Sequence, residues 1–362
     1  MAISTISATG LDSAVSQTGK NLIHNGEMAV SQRTLPITGL GAGSGYTFDR
    51  WKYENSGSPT GRHTISRGTG ILNAASSLRI DVTTADSSLA AGALYQMTQK
   101  IEAQNLHFLE FGSATAKAFT ISFTMKSNFD GAFTLHLIAQ DGSRNYATPI
   151  NLVGDESQET FEITIPGDTS GAFNFDNGVG LDLMITLAAG SGFAGGTQNA
   201  WAASANNMYG ASNSGNFFSS TDNYVEFSLF QLEVGSVATD FEHEPVSVTL
   251  AKCQRYLRHL VSTTNTPVAS GYASGTTTAS FPVQFDPAMR AAPTFSVSHV
   301  GDFTVDMTGA ARDTTGLVIA KATTYAARLD ATVGSGLTAG QGVQLAFDAT
   351  GKTLTFTAEL GG

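Results

Sequence analysis

Disulfide chemistry is the first thing this sequence cannot do. It holds a single cysteine, Cys253, so no bridge can close within the chain and a thiolate-built zinc site is excluded. Charge is scarce as well. Asp, Glu, Lys and Arg make up 14% of the 362 residues, well under the ~25% common in soluble domains. Basic residues number 19 against 30 acidic, for a formal charge of −11, and no Lys/Arg cluster interrupts that balance. Nucleic acid and anionic membrane surfaces are therefore poor partners. No apolar run approaches the ~18 residues that span a bilayer, so membrane insertion is not expected. Residues 1–20 have neither a basic nor an apolar signal region, and no export signal is expected there.

Catalytic signatures are missing too. The seven histidines, His24, His63, His107, His136, His243, His259 and His299, never fall into a metal-ligand spacing. His136 alternates with Leu135 and Leu137 and reads as a solvated surface histidine. The glycine run 39–45 (GLGAGSG) lacks the Lys-Ser/Thr ending of a phosphate loop and reads as a flexible loop. No nucleophile elbow is present. Carboxylates are thinly spread, and no segment supplies the acid pair that glycoside hydrolysis needs. The expectation is a non-enzymatic protein without a cofactor.

What is abundant is small polar residues, 39 Gly, 22 Phe and 41% hydrophobic residues overall, a mixture that argues against disorder. Strands alternate with Gly/Ser/Asn turns, which predicts an all-β chain. In 118–126, Phe119, Ile121, Phe123 and Met125 point one way, and Thr120, Ser122 and Thr124 the other. This period of two marks half-buried antiparallel strands packed as a sandwich. Further strands are expected at 48–53, 78–83, 94–101, 106–111, 132–139, 160–165, 181–187 and 224–234. A second set is expected at 281–285, 294–299, 303–307, 317–320, 325–329, 343–347 and 353–358.

Two segments break the alternation. Residues 189–220 are too rich in Gly, Asn and Ser for regular structure, yet they hold Phe193, Trp201, Tyr209, Phe217 and Phe218. A loop of that length is usually functional or disordered, and five large aromatics oppose disorder. Trp201 and Tyr209 are candidates for stacking on a sugar face, with Asn199, Asn206, Asn207 and Asn213 for its hydroxyls. The alternative is that these rings plug an open end of the sandwich or pack on a neighbouring subunit. Trp51 reads as core or interface. The second segment, 248–261, is predicted helical. Its Leu250, Cys253, Leu257 and Leu260 follow a three-four-three spacing, a short oligomerisation seam with Cys253 as a small apolar member. Two heptads are too few for an independent coiled coil, so the β-domains would have to share in assembly.

The order NLIHNGEMAVSQR (21–33), YTFDRW (46–51), QKIE (99–102), FTISFTMKS (119–127), FQLEVGSVATDFEHEP (230–245) and AKCQRYL (251–257) resembles tailed-bacteriophage tail fibres and fibre-like virion proteins. Those proteins carry a jelly-roll module similar to carbohydrate-binding modules. The likeness spans roughly 21–260 and is looser beyond, through VQFDPAMRAAPTFSVS (283–298) and FTAEL (356–360). It implies an N-terminal attachment arm (1–20) contacting other virion proteins, a jelly-roll domain (21–245), a helical connector (246–262) and a C-terminal β-sandwich (263–362). It further implies an elongated homotrimer, assembled in the host cytoplasm and carried on the virion, which recognises a host-surface glycan. A head fibre or decoration protein without receptor binding is the alternative. In the carbohydrate-binding modules a structural calcium often lies between segments that match Glu27 and Glu226 here. Met28 and Phe227 depart from the usual oxygen-bearing pattern, and the expectation is no metal.

Overall fold

Residues 20–263 and 266–361 are described by the structure, a computed structural model. Apart from Lys20, the expected attachment arm lies outside the described residues. The chain divides between Thr249 and Leu250 into two compact units.

The first unit is a sandwich of two antiparallel sheets, with strands numbered along the chain. One sheet runs β1 (Ile37–Leu40), β4 (Arg62–Gly68), β5 (Ser77–Thr84), β13 (Tyr224–Val234), β7 (Phe119–Ser127) and β10 (Gln158–Ile165). The other runs β12 (Ala202–Ala203), β9 (Arg144–Val153), β8 (Asp130–Ala139), β11 (Val179–Ala189), β6 (Leu94–Glu102), β3 (Lys52–Ser56) and β2 (Gly43–Tyr46). The alternation on β7 lands as the sequence predicts. Phe119, Ile121, Phe123 and Met125 are at most 1% exposed and share a core with Phe133, Leu135 and Leu137 of β8. Each such ring or branched chain taken from water contributes about 2–3 kcal/mol. Trp51 joins that core, its ring 4.8 Å from Phe230 and its indole N–H donating to Asn25 O at 3.1 Å.

The segments that carry the resemblance meet in space. β13 bulges between Ser228 and Gln231, with Leu229 at φ +57°. Asn21–Gly26 closes on that bulge: Asn21 Nδ2 donates to Phe230 O (2.9 Å), and Phe230 N–H donates to Gly26 O (3.0 Å). A Cβ on Gly26 would stand 2.1 Å from Phe230 O, so no other residue fits. Beyond the strand, the Glu233 carboxylate accepts from Thr239 N–H (2.8 Å) and hydroxyl (2.7 Å). Glu242 N–H donates to Gln231 Oε1 at 2.9 Å. The NLIHNG and FQLEVGSVATDFE runs therefore form one hydrogen-bonded knot, and their work is structural.

The second unit is also antiparallel. A closed barrel runs β15 (Pro267–Ala273), β16 (Thr278–Gln284), β20 (Ala326–Val333), β19 (Ala310–Ala322), β18 (Phe303–Met307) and β21 (Gly342–Phe347). A three-stranded sheet, β14 (Leu257–Val261), β22 (Thr353–Thr357) and β17 (Thr294–Val297), accompanies it. Closure removes the barrel's edges, which blunts strand-to-strand aggregation. The all-β expectation of two antiparallel domains linked by a short helix holds; the sequence did not reveal the closure.

The helical seam needs correction. Helix α1 covers Val246–Gln254, nine residues, and ends before Leu257 and Leu260. Both leucines lie on β14, where Leu257 pairs with Thr357 and Leu260 with Leu354. Cys253 and Leu257 are buried, whereas Leu260 is 36% exposed. Leu250, Cys253, Leu257 and Leu260 thus form no continuous helical face. The long-range ladder to β22 wins over a local spacing too short to hold a helix alone. The division at Thr249/Leu250 falls inside α1. Residues 106–111, expected as a strand, hold one short 3-10 turn, His107–Leu109, capped by Glu110 at φ +55°.

Candidate functional site

The outer face of the β2–β12 sheet is polar by alternation, and the 189–220 loop lies across part of it. Thr134 Oγ1 donates to Asn213 Oδ1 (2.7 Å) and accepts from Ser212 N–H (3.0 Å), while Asn213 Nδ2 donates to Thr186 O (3.0 Å). Thr148 Oγ1 donates to Asn199 Oδ1 at 2.7 Å, and Asn145 Nδ2 donates to Ala205 O at 3.2 Å. The strand's hydroxyls and amides serve as docking points for the loop. Asn213, expected for ligand hydroxyls, has both ends of its amide engaged in this way, and Asn199 its carbonyl oxygen.

This cover changes the reading of His136. It is fully buried, with neither ring nitrogen hydrogen-bonded among the described residues. The Tyr209 ring packs on it at 4.5 Å, and Phe193 packs edge-on to Tyr209 at 5.8 Å. His136 is therefore no solvated surface histidine: alternation placed it on the outer side correctly, and the loop then covered that side. Burial pushes its pKa down to about 3.

Where the loop ends, a cleft of about 470 Å³ opens over the β2–β3–β6 end of the sheet, within the ~300–1,000 Å³ range of small-ligand sites. Gly43 and Ser44 of β2, Glu54, Asn55 and Ser56 of β3, and Leu94 and Gln96 of β6 form its strand wall. Phe193, Asn206 and Tyr209 close it from the loop side. Burial, and then the charges of Asp182 and Glu54, raise the Tyr209 phenol, so it remains a neutral donor.

Of the residues singled out from sequence, Tyr209 and Asn206 meet in this cleft. Asn207 is exposed next to Asn206 in the chain, its carbonyl accepting Gly196 N–H at 3.0 Å, and does not line the cleft. Trp201 lies elsewhere. Its indole N–H donates to Pro166 O (2.7 Å), and its ring packs on Phe111 (5.4 Å) and Tyr146 (5.5 Å). Phe217 and Phe218 are fully buried in the sandwich. The loop thus serves both readings of its aromatics: three rings plug the sandwich and two face a cleft.

Glu54, Asn55 and Gln96 were not read from the sequence. The signal was the outward position of Glu54 on β3, meaningful only once β3, β6 and β11 lie side by side. That pairing also gathers charges no single segment holds. Lys100 Nζ lies 3.8 Å from Glu54 Oε1 and 3.5 Å from Asp182 Oδ2, and Lys52 Nζ is 2.8 Å from Glu54 Oε1. Asp182, 3% exposed, also accepts from Thr98 Oγ1 at 2.8 Å, and burial raises its pKa.

The calcium position implied by the resemblance does not fit the residues present. The Glu226 carboxylate is held by Arg79 (2.9 Å), Ser77 Oγ (2.6 Å) and Gly70 N–H (2.9 Å). Glu27 accepts from Ala75 N–H at 2.8 Å and meets His243 Nδ1 at 3.1 Å. A guanidinium stands where a cation's charge would be needed. Arg79→Met is expected to cost about 2 kcal/mol, because it strips a buried carboxylate of its counter-charge. A chelator should leave the wild-type melting temperature unchanged. A chelator-induced drop in that temperature would contradict this assignment.

No protein-family model and no curated protein sequence matches the chain. Among solved structures, the enzymatically active domain of bacteriophage CBA120 tailspike protein 4 is similar at 9% identity and TM-score 0.32, over 60% of this chain and 22% of that one. TmCBM61, solved with β-1,4-galactotriose, is similar at 8% identity and TM-score 0.30, over 60% of this chain and all of that one. A family 11 carbohydrate-binding module from Clostridium thermocellum is similar at 13% identity and TM-score 0.27, over 59% of this chain and all of that one.

Proposed function

We propose that the chain is a non-catalytic glycan-binding protein of a tailed-phage virion, a tail fibre whose first unit holds the sugar. The observation that carries the binding role is the cleft in which Phe193 and Tyr209 line one side and Glu54 and Gln96 the other. Aromatic rings offer apolar faces to sugar C–H groups, and amide and carboxylate oxygens accept from the hydroxyls. Glycoside hydrolysis needs two carboxylates flanking the bond. Among the described residues Glu54 is the one carboxylate lining the cleft; Asp182 is buried beside Lys100 and accepts from Thr98. This supports binding without cleavage.

The order of resembling segments along 21–257 supports placement on the virion. A head fibre or decoration protein is the second placement, for a cleft that binds no sugar. The homotrimer belongs to the same resemblance; without a helical seam, β-strand surfaces would have to hold it. A glycan array tests the reading. Wild type should retain one or more hydroxyl-rich glycans, and Tyr209→Ala should lose them by about tenfold or more, the loss of one well-placed contact. An array with no retained glycan would remove the binding role.

A further inference from the structure

The cleft wall has an uneven hydrogen-bonding character. Both lysine contacts to Glu54 fall on Oε1, at 2.8 and 3.8 Å, and Oε2 makes no hydrogen bond among the described residues. Asn55 spends its amide donor on Gly41 O at 2.8 Å. Gln96 spends its own on Thr186 Oγ1 at 3.0 Å and Met184 Sδ at 3.7 Å. Their carbonyl oxygens have no partner among the described residues. Glu54 and Gln96, paired across β3 and β6, thus bring open acceptors to one wall, whereas Asn55 falls on the opposite face, paired with the core residue Tyr95. Lys52 and Lys100 hold Glu54 while being only 10% and 15% exposed, so their charge stands behind the carboxylate.

We infer that Glu54 makes this cleft selective for uncharged, hydroxyl-donating glycans and against sugars bearing carboxylate or phosphate. The inference rests on the glycan-binding reading and adds the ligand's charge class to it. A sugar hydroxyl pair has the donors that Glu54 Oε2 and the Gln96 carbonyl lack. A uronate or sialate carboxylate brings acceptors to acceptors and meets the Glu54 carboxylate first, since Lys52 and Lys100 are already paired with Glu54 and Asp182. Like charge and unpaired acceptors in a confined site are the two ways an interface rejects a ligand.

The test compares wild type with Glu54→Gln on an array carrying neutral glycans and their uronate- and sialate-bearing counterparts, with titration calorimetry on the hits. Wild type should bind neutral glycans alone. Glu54→Gln should lose about tenfold or more in affinity for a neutral hit, the scale of one hydrogen bond to a charged group, and lose less or gain for the acidic counterpart. A melting temperature for Glu54→Gln near that of wild type separates affinity loss from unfolding. Should the variant fail to fold, wild-type selectivity decides alone. Equal or tighter wild-type binding of an acidic glycan overturns the inference and leaves the cleft as a sugar site. Binding of no glycan at all removes the glycan-binding reading, and the inference with it.

Discussion

Lowering the pH from 7 to 4.5 should cost the first unit about 5 kcal/mol through two histidines, His63 and His136. Both are buried and held neutral, with desolvation pushing His63 to about 4 and His136 to about 3. An unfolded histidine takes its proton near pH 6.5. The stabilising contribution of each is therefore intact above pH 6.5 and is lost as pH falls from there toward its folded value. At pH 4.5 each costs about 2–3 kcal/mol. Asp182 works in the opposite sense, since burial raises its pKa and the fold favours its protonated form. The cleaner readout is consequently a difference. His136→Leu removes one of the two groups and should reduce the pH 7-to-4.5 loss by about 2–3 kcal/mol in urea melts. Identical pH dependence in wild type and variant would show that His136 is hydrated in solution and that the loop does not cover it. The loop's departure is the cheaper way to hydrate His136, so loss of the cleft should precede global unfolding.

The second large effect separates two aromatics of the same loop. Trp201→Ala removes a ring wedged on Phe111 and Tyr146 with its N–H bonded to Pro166. It should cost about 2 kcal/mol of stability, below the ~3–5 kcal/mol of a fully buried ring because Trp201 is half-buried. Glycan affinity per folded molecule should stay unchanged, because Trp201 is absent from the cleft wall. Tyr209→Ala should show the reverse balance, with affinity reduced by about tenfold or more and stability by about 1–2 kcal/mol from its lost contact with His136. Thermal melts and binding titrations on the two variants read both quantities. Equal affinity losses would mean that both rings serve one platform, contrary to their separate packing.

Legibility from sequence followed the range of the interactions. β13 was read with its observed bounds, and the buried side of β7 was read residue by residue, because a period of two reports one strand's own two faces. β9 escaped notice: Pro149 interrupts its pattern, which is tolerated next to the two-residue edge strand β12. The 257–260 portion of the supposed seam failed because its partner, Thr353–Thr357, lies about a hundred residues downstream. His136 failed for a related reason, as no single-strand pattern can announce that a distant loop will cover its polar face. In the cleft, Tyr209 and Asn206 were visible as unusual residues in an irregular loop. Glu54, Asn55 and Gln96 were ordinary strand residues until β3 and β6 paired.

The most direct measurement is a crystal structure of the protein with an oligosaccharide that the array identifies. Sugar density is expected between the Phe193 and Tyr209 rings and the Glu54–Gln96 wall, with a hydroxyl of the sugar within hydrogen-bond distance of Glu54 Oε2. Density on the Trp201 face or on the second unit, with the cleft empty, would contradict it.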